Sequence, residues 1–406
     1  MQNKWKATLL CSIMFAACGD DFSDEVRNID HTKYICFGTP AVSMEGVDIL
    51  RSEPLSRSTL INGALPEGGS FGVMGYCVPY TLVTSGGDIS VSQEKDYFAG
   101  TSKWENKNSL VIPDVFYKQK VTYENGVCRY TPVKPWYTQQ QVNNPNIRPE
   151  NFYYSFFAYY PFDGNFFTVA PGRATDYGAP KITFTMPFEN GSVTTSREHG
   201  NIPDAMLATQ YDYQKAQGSV PFRFYHLLTA LRFRINNYDD KRLLTIHSLT
   251  FSGQFYRSVT VDFAENPPVQ KVAELATSHY RGTFEIVNNT GNPEVCIAGA
   301  SRLMGVTDEN PDGTTLLLLP NPDANPNAVL PSFYLGEEKT VSITYSFENG
   351  SPVTQTIENI NLAYKPMQST RYTVNLNFMG GKFVLMCQPD NNEHWEGDNE
   401  NDIIIQ

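Results

Sequence analysis

Positive charge is scarce in this chain of 406 residues. Thirty-one Lys and Arg stand against 43 Asp and Glu, a net charge of −12 at pH 7, and no basic run is present to follow a phosphate backbone. Nucleic acid is thereby excluded as a partner. Long hydrophobic runs are lacking too: the apolar stretch near the start, Ala7 to Ala17, has 11 residues and is too short to cross a bilayer as a helix. Charged residues make up only 18% and aromatics as much as 13%, which excludes disordered, coiled-coil and collagen-like chains. The seven cysteines form no CxxC pair, and the six histidines (His31, His199, His226, His247, His279, His394) show neither HExxH nor a Cys/His cluster, so the usual metal frameworks are absent. There is no GxSxG elbow and no P-loop. Gly69, Gly72 and Gly75 lack the Gly-x-Gly pair of a dinucleotide fingerprint, and Asp398 to Asp402 fails as a calcium loop because Ile403 stands where Gly is required. The expectation is a protein that is not an enzyme and carries no cofactor and no metal.

What is present points to β-structure. Twenty-nine Gly and 26 Pro are scattered among β-branched and aromatic residues, the composition of many short strands joined by turns. Tyr34 to Phe37 reads as a first strand, and Ser70 to Val78 as a core strand whose glycines permit close packing. The aromatic run Phe152 to Phe162 reads as a strand ending at Pro161, with core packing favoured over sugar stacking. Further strands are expected at Lys181 to Met186, Phe222 to Asn236, Leu243 to Ser252 and Val259 to Phe263. Within the second of these Phe222, Phe224 and His226 share a face, and a local irregularity falls at Leu227 to Thr229. After Asn266-Pro267-Pro268 come Leu316 to Leu319, then strands around Val341 to Phe347 and Arg371 to Phe378, and a hairpin turn Glu348-Asn349-Gly350 leading to Val353 to Ile357.

The N-terminus carries the most specific signal. Lys4 and Lys6 precede the short apolar stretch, which closes on Phe15-Ala16-Ala17-Cys18-Gly19, the form of a secretory signal with a thiol placed for lipid attachment. This resembles the bacterial lipoprotein lipobox, with Phe15 where Leu is usual; an ordinary cleavable signal is the alternative. Asp20 and Asp21 after Cys18 resemble the surface-export signal of Bacteroidetes lipoproteins. Acyl chains on Cys18 would contribute about 0.8 kcal/mol per buried CH₂, enough to anchor the protein without a transmembrane segment. Of the remaining cysteines, Cys36, Cys77, Cys128, Cys296 and Cys387 are read as buried thiols, with a Cys77–Cys128 disulfide as the alternative.

In one order along the chain stand the lipobox, Ser56-Arg57-Ser58, Phe71-Gly72-Val73, Phe156 to Pro161, Asp204 to Ala208, Phe224 to Leu231, Leu318-Leu319-Pro320, Ser369 to Leu376 and Trp395-Glu396-Gly397. Together they resemble the Bacteroidales fimbrillin superfamily, the Mfa-like and FimA-type pilus subunit lipoproteins. The resemblance implies an all-β fold of two tandem transthyretin-like β-sandwich domains after a lipoprotein signal peptide. The expected segments are the signal peptide at 1–17, an acidic tether at 18–30, an N-terminal sandwich at 31–265 and a C-terminal sandwich with its tail at 266–406.

It further implies a structural or adhesive subunit (shaft, tip or anchor) of a cell-surface fimbria. Such subunits are exported as lipoproteins, held at the outer membrane by the lipid anchor before maturation, and assemble with other pilus subunits by protease-triggered β-strand exchange, while a host or bacterial surface receptor or glycan is a further expected partner. Lipidation at Cys18 and cleavage at Arg57, with Arg51 second, are the residues the resemblance assigns; both arginines also read simply as solvated loop residues. The donor strand is expected in the tail, where Ile403-Ile404-Ile405 follows an acidic linker, although three apolar residues are short for the task; a donor reaching back through Phe383 to Met386, at the cost of a longer rearrangement, is the alternative. A surface carbohydrate-binding lipoprotein is the rival expectation, in which Trp104, Trp136, Trp395 or Tyr137 would stack on sugar rings.

Overall fold

The computed structural model describes residues 30–42, 63–79, 104, 108–138, 152–288, 294–306, 313–322, 334–348, 350–358, 360 and 371–389. Residues 1–17, expected as a signal peptide, and Cys18, Arg51, Arg57, Trp395 and the rest of residues 390–406 lie outside the described residues.

The first half of the chain contains β1 (Ala41–Val42), β2 (Ser70–Pro79), β3 (Phe116–Glu124), β4 (Val127–Arg129), β5 (Phe152–Tyr160), β6 (Phe167–Ala170), β7 (Lys181–Thr185), β8 (Val193–Thr195), β9 (Met206–Tyr213) and β10 (Arg223–His226). The second half contains β11 (Thr229–Asn237), β12 (Leu244–Tyr256), β13 (Ser258–Asp262), β14 (Val269–Val272), β15 (His279–Asn288), β16 (Glu294–Cys296), β17 (Ser301–Leu303), β18 (Leu316–Leu318), β19 (Gly336–Phe347), β20 (Val353–Glu358), β21 (Arg371–Met379) and β22 (Lys382–Pro389). The longest α-helix among the described residues is the single turn α1 (Ser196–His199). The protein is all-β, as its composition predicts.

Four sheets result. A seven-stranded sheet runs β1-β10-β9-β5-β2-β3-β4; a four-stranded one runs β14-β13-β7-β6. A five-stranded sheet has β17-β11-β21-β22 with β18 also on β11, and a six-stranded one has β20-β19-β12-β15-β8 with β16 also on β12. The five- and six-stranded sheets pack face to face. Phe233 of β11 meets Phe251 of β12 at 5.5 Å between ring centroids, and Tyr345 of β19 meets Phe378 of β21 at 5.6 Å. The seven-stranded sheet buries both faces, because alternate residues of β5 point opposite ways. Phe152, Tyr154, Phe156 and Ala158 join one core, while Phe157 and Tyr159 join the other, shared with the remaining sheets.

The aromatic run is thus a core strand. Phe222, Phe224 and His226 are buried on one face while Arg223 and Tyr225 are exposed, and the alternation restarts in β11 after Leu227 and Leu228. The hairpin between β19 and β20 is present, Tyr345 facing Val353, with Glu348 at φ 46°. Strands on either side of residue 265 pair with one another: β13 with β14, and β12 with both β15 and β19. The Asn266-Pro267-Pro268 break is the connection inside the β13–β14 pair, and the change from the seven-stranded sheet to the five-stranded one falls at Leu227–Leu228.

Candidate functional site

Residues 30–42 precede every long strand, yet Ile35, Phe37 and Val42 lie inside the first core. The segment opens on a turn fastened by Asp30, whose carboxylate accepts from the Thr32 backbone N–H at 2.9 Å and the Thr32 hydroxyl at 2.5 Å. These bonds, the hydroxyl's first, hold the Asp30 carboxyl below its ordinary range. From there the chain runs extended between two rails. On one side the Ile35 N–H donates to the Lys134 carbonyl at 2.8 Å and the Trp136 N–H to the Lys33 carbonyl at 3.1 Å. On the other, the Val220 N–H donates to Cys36 (2.8 Å), Gly38 to Val220 (2.9 Å) and Ala41 to Phe222 (3.0 Å). The second rail is parallel, Phe37 opposite Val220 and Val42 opposite Phe224. The expected strand at Tyr34 to Phe37 is therefore longer in its contacts but broken in its ladder, with bridges at Tyr34 and Phe37 and the short β1 beyond.

Four side chains of the segment point inward: Ile35, Phe37, Pro40 and Val42. Phe37 is the anchor. Its ring stacks on Phe222 at 5.3 Å and 18°, and meets Tyr130 at 5.6 Å, Phe116 at 5.7 Å, Phe156 at 6.0 Å and Phe71 at 6.3 Å. Phe71, Phe116 and Phe156 stand on the hydrogen-bonded neighbours β2, β3 and β5, so these pocket walls are fixed by the sheet. Each main-chain bond contributes about 1 kcal/mol net, and the buried ring about 1.5–3 kcal/mol. Both kinds of contact hold the segment.

Polar side chains of the body also reach the segment's backbone. The Tyr130 hydroxyl donates to the Ile35 carbonyl at 2.6 Å, the Trp136 indole N–H to the His31 carbonyl at 2.9 Å, and the Cys128 thiol to the Gly38 carbonyl at 3.4 Å. Burial pushes the Tyr130 hydroxyl and the Cys128 thiol each up to about 12, so both keep their protons and remain donors at neutral pH. Burial also raises the Cys36 thiol. Cys36, Cys77, Cys128 and Cys296 are present as thiols rather than disulfides.

Cys18, Arg51 and Arg57 lie outside the described residues, but their order in the sequence matters. Both arginines fall between the seated segment and β2, so a cut at either one would leave the segment joined to the body by noncovalent contacts alone. The sugar-stacking expectation fails at the two tryptophans that are described. Trp104 is fully buried, its indole donating to the Phe263 carbonyl at 2.6 Å, and Trp136 is buried between Tyr154 and Tyr213. Tyr137 is half-buried, with its hydroxyl donating to the Asp114 carbonyl at 2.7 Å. Sequence reasoning missed one pairing: Asp204 and His226 meet at 2.7 Å with both side chains only 1% exposed. With no opening to solvent this pair fastens the β9–β10 hairpin instead of serving as an acid–base site. No group of His, Cys, Asp and Glu able to hold a metal occurs among the described residues.

The fold and the groove define a β-sandwich protein that fills one of its own strand positions with a segment on a separate stretch of chain. The fimbrillin-like family model matches residues 101–385, and the chain belongs to that family. It is a fimbrial or adhesion subunit of the cell surface that assembles with other pilus subunits, and its family is one of structural rather than enzymatic proteins. No curated protein matches the sequence. Among solved structures, a fimbrial protein from Bacteroides vulgatus is similar at 15% identity, over 79% of this chain and 91% of that one, with a TM-score of 0.48. A Bacteroides uniformis protein assigned to cell adhesion has 14% identity over 90% and 100% of the two chains, with a TM-score of 0.39. The tip fimbrial protein Mfa3 from Porphyromonas gingivalis, truncated at its C-terminus, has 8% identity over 80% and 94%, with a TM-score of 0.30.

Proposed function

We propose that this chain is the precursor of a fimbrial subunit, exported as a lipoprotein through Cys18 and assembled by strand exchange at the groove that residues 30–42 occupy. Cleavage at Arg57, or at Arg51, separates the segment and its lipid from the body. The vacated rails then pair with an extended strand of a neighbouring subunit, main-chain bonds supplying affinity and inward side chains supplying register. The observation that carries this reading is the seating of the segment itself. It is bonded along both edges and anchored by Phe37, while its covalent link to the body runs through the stretch that holds both arginines. We further propose two sandwich units, the second of which takes β6, β7 and β8 from the first half of the chain, since these pair with β13 and β15.

The test is intact-mass and N-terminal analysis of the protein recovered from surface fibres, with lipid labelling of the cell-bound form. A fibre form that begins after Arg57 or Arg51 and lacks lipid is expected. Fibre protein that keeps an acylated Cys18 and its first segment would overturn strand removal.

A further inference from the structure

The groove has a selectivity of its own. Its inward positions are spaced Ile35, Phe37, Pro40, Val42, and the second faces a pocket walled by five aromatic rings. Three of those rings sit on β2, β3 and β5, whose mutual ladders keep the walls from collapsing inward when the pocket is empty. A strand without a ring at that register would therefore leave a cavity, and an aliphatic side chain would fill it only in part. The Tyr130 hydroxyl and the Val220 amide hold the backbone just before the ring position, at the carbonyls of Ile35 and Cys36, while the register of an incoming strand is set by which of its side chains fills the pocket.

Residues 390–406 do not meet this demand. Their one aromatic residue is Trp395. With Trp395 in the Phe37 pocket and the strand running as residues 30–42 do, Glu393, Asp398 and Glu400 take the other three inward positions; run the other way, Gly397, Asn392 and Asp390 do. In either direction at least one carboxylate would then take a position that Ile35, Pro40 or Val42 fills with a buried apolar side chain, at a high desolvation cost. Placing Ile403 and Ile405 inward instead leaves the ring pocket without a ring.

Resting on the strand-exchange reading above, we infer that the groove takes a strand with an aromatic side chain at the Phe37 register, and so accepts a segment of a different subunit in preference to residues 390–406 of a second copy. The experiment uses the full chain after limited cleavage by an arginine-specific protease. Fluorescent peptides are exchanged into it under reducing conditions and followed by anisotropy: residues 31–42, the same peptide with Phe37→Ala, and residues 390–406. The 31–42 peptide is expected to enter, the Phe37→Ala peptide to bind on the order of a hundredfold more weakly, and the 390–406 peptide not to compete. Binding of the Phe37→Ala peptide within threefold of the parent, or competition by 390–406 equal to it, would overturn the aromatic rule while leaving strand exchange intact. Failure of the parent peptide to enter at all would instead refute strand exchange, and the rule with it.

Discussion

Acid should loosen this protein through one residue, His199, before its carboxylates begin to titrate. His199 ends the single turn α1 and lies between Phe188 and Phe284, 4.2 Å from the latter ring's centroid, at 2% exposure. Its Nε2 has no hydrogen-bond partner, and the one compensation is a bond to the Leu317 backbone. Burial pushes its pKa from 6.5 down to about 3. Between those values the unfolded chain binds a proton at this position and the folded protein does not. Stability is therefore whole above pH 6.5 and falls as pH drops toward 3, by about 1.4 kcal/mol per unit, which amounts to about 2 kcal/mol between pH 7 and pH 5. Carboxylates titrate near pH 4, so this window belongs to histidine. Replacing the ring with another ring, His199→Phe, removes the titration and keeps the packing. Urea unfolding at pH 7, 6 and 5 should show the variant gaining about 2 kcal/mol on the natural protein across that range. Parallel pH dependences in the two proteins would refute the reasoning.

Two further substitutions probe the frame of the groove. A methyl group on Gly72 would sit 2.1 Å from Cζ of Tyr159, the residue directly across the β2–β5 pair, so Gly72→Ala should cost about 1–3 kcal/mol by thermal unfolding, and Tyr159→Leu in the same chain should recover part of the loss. Asp204→Ala removes the carboxylate that His226 meets inside the β9–β10 hairpin and should cost about 3 kcal/mol, whereas Asp204→Asn, which keeps an acceptor, should cost less on the same denaturation assay.

Legibility followed the range of the forces involved. Where a strand's own residues decide its face, the sequence sufficed: Phe222, Phe224 and His226 alternate because β10 buries one side, and Glu348-Asn349-Gly350 marks a turn whatever lies around it. Where distant chain decides, it did not. Trp104 stands among Ser102, Lys103, Glu105 and Asn106 and reads as exposed, yet Phe263, 159 residues further on, supplies the carbonyl that receives its indole N–H. The two prolines after Asn266 read as a domain break although they only connect two strands of one sheet. Short strands such as β8 and β16, three residues each, carry no periodicity to detect and exist because longer strands offer them an edge. The groove was half legible: Tyr34 to Phe37 announces a strand, but the five-ring pocket gathers residues from five separate stretches of chain.

The parallel pair of β11 and β21 sets the order in which the molecule can be completed. Residue 230 lies against residue 371 and residue 237 against residue 378, so the middle of the five-stranded sheet is a partnership between chain segments about 140 residues apart. Bringing such segments together is slow, because the loop must close before its contacts form. A nascent chain emerging from its start would therefore leave unpaired the edge of β11 that β21 occupies until the strand about 140 residues later arrived. Any product stopping short of residue 371 would leave that edge open. A protein built this way completes its five-stranded sheet late, only once the stretch that carries β21 and β22 is delivered.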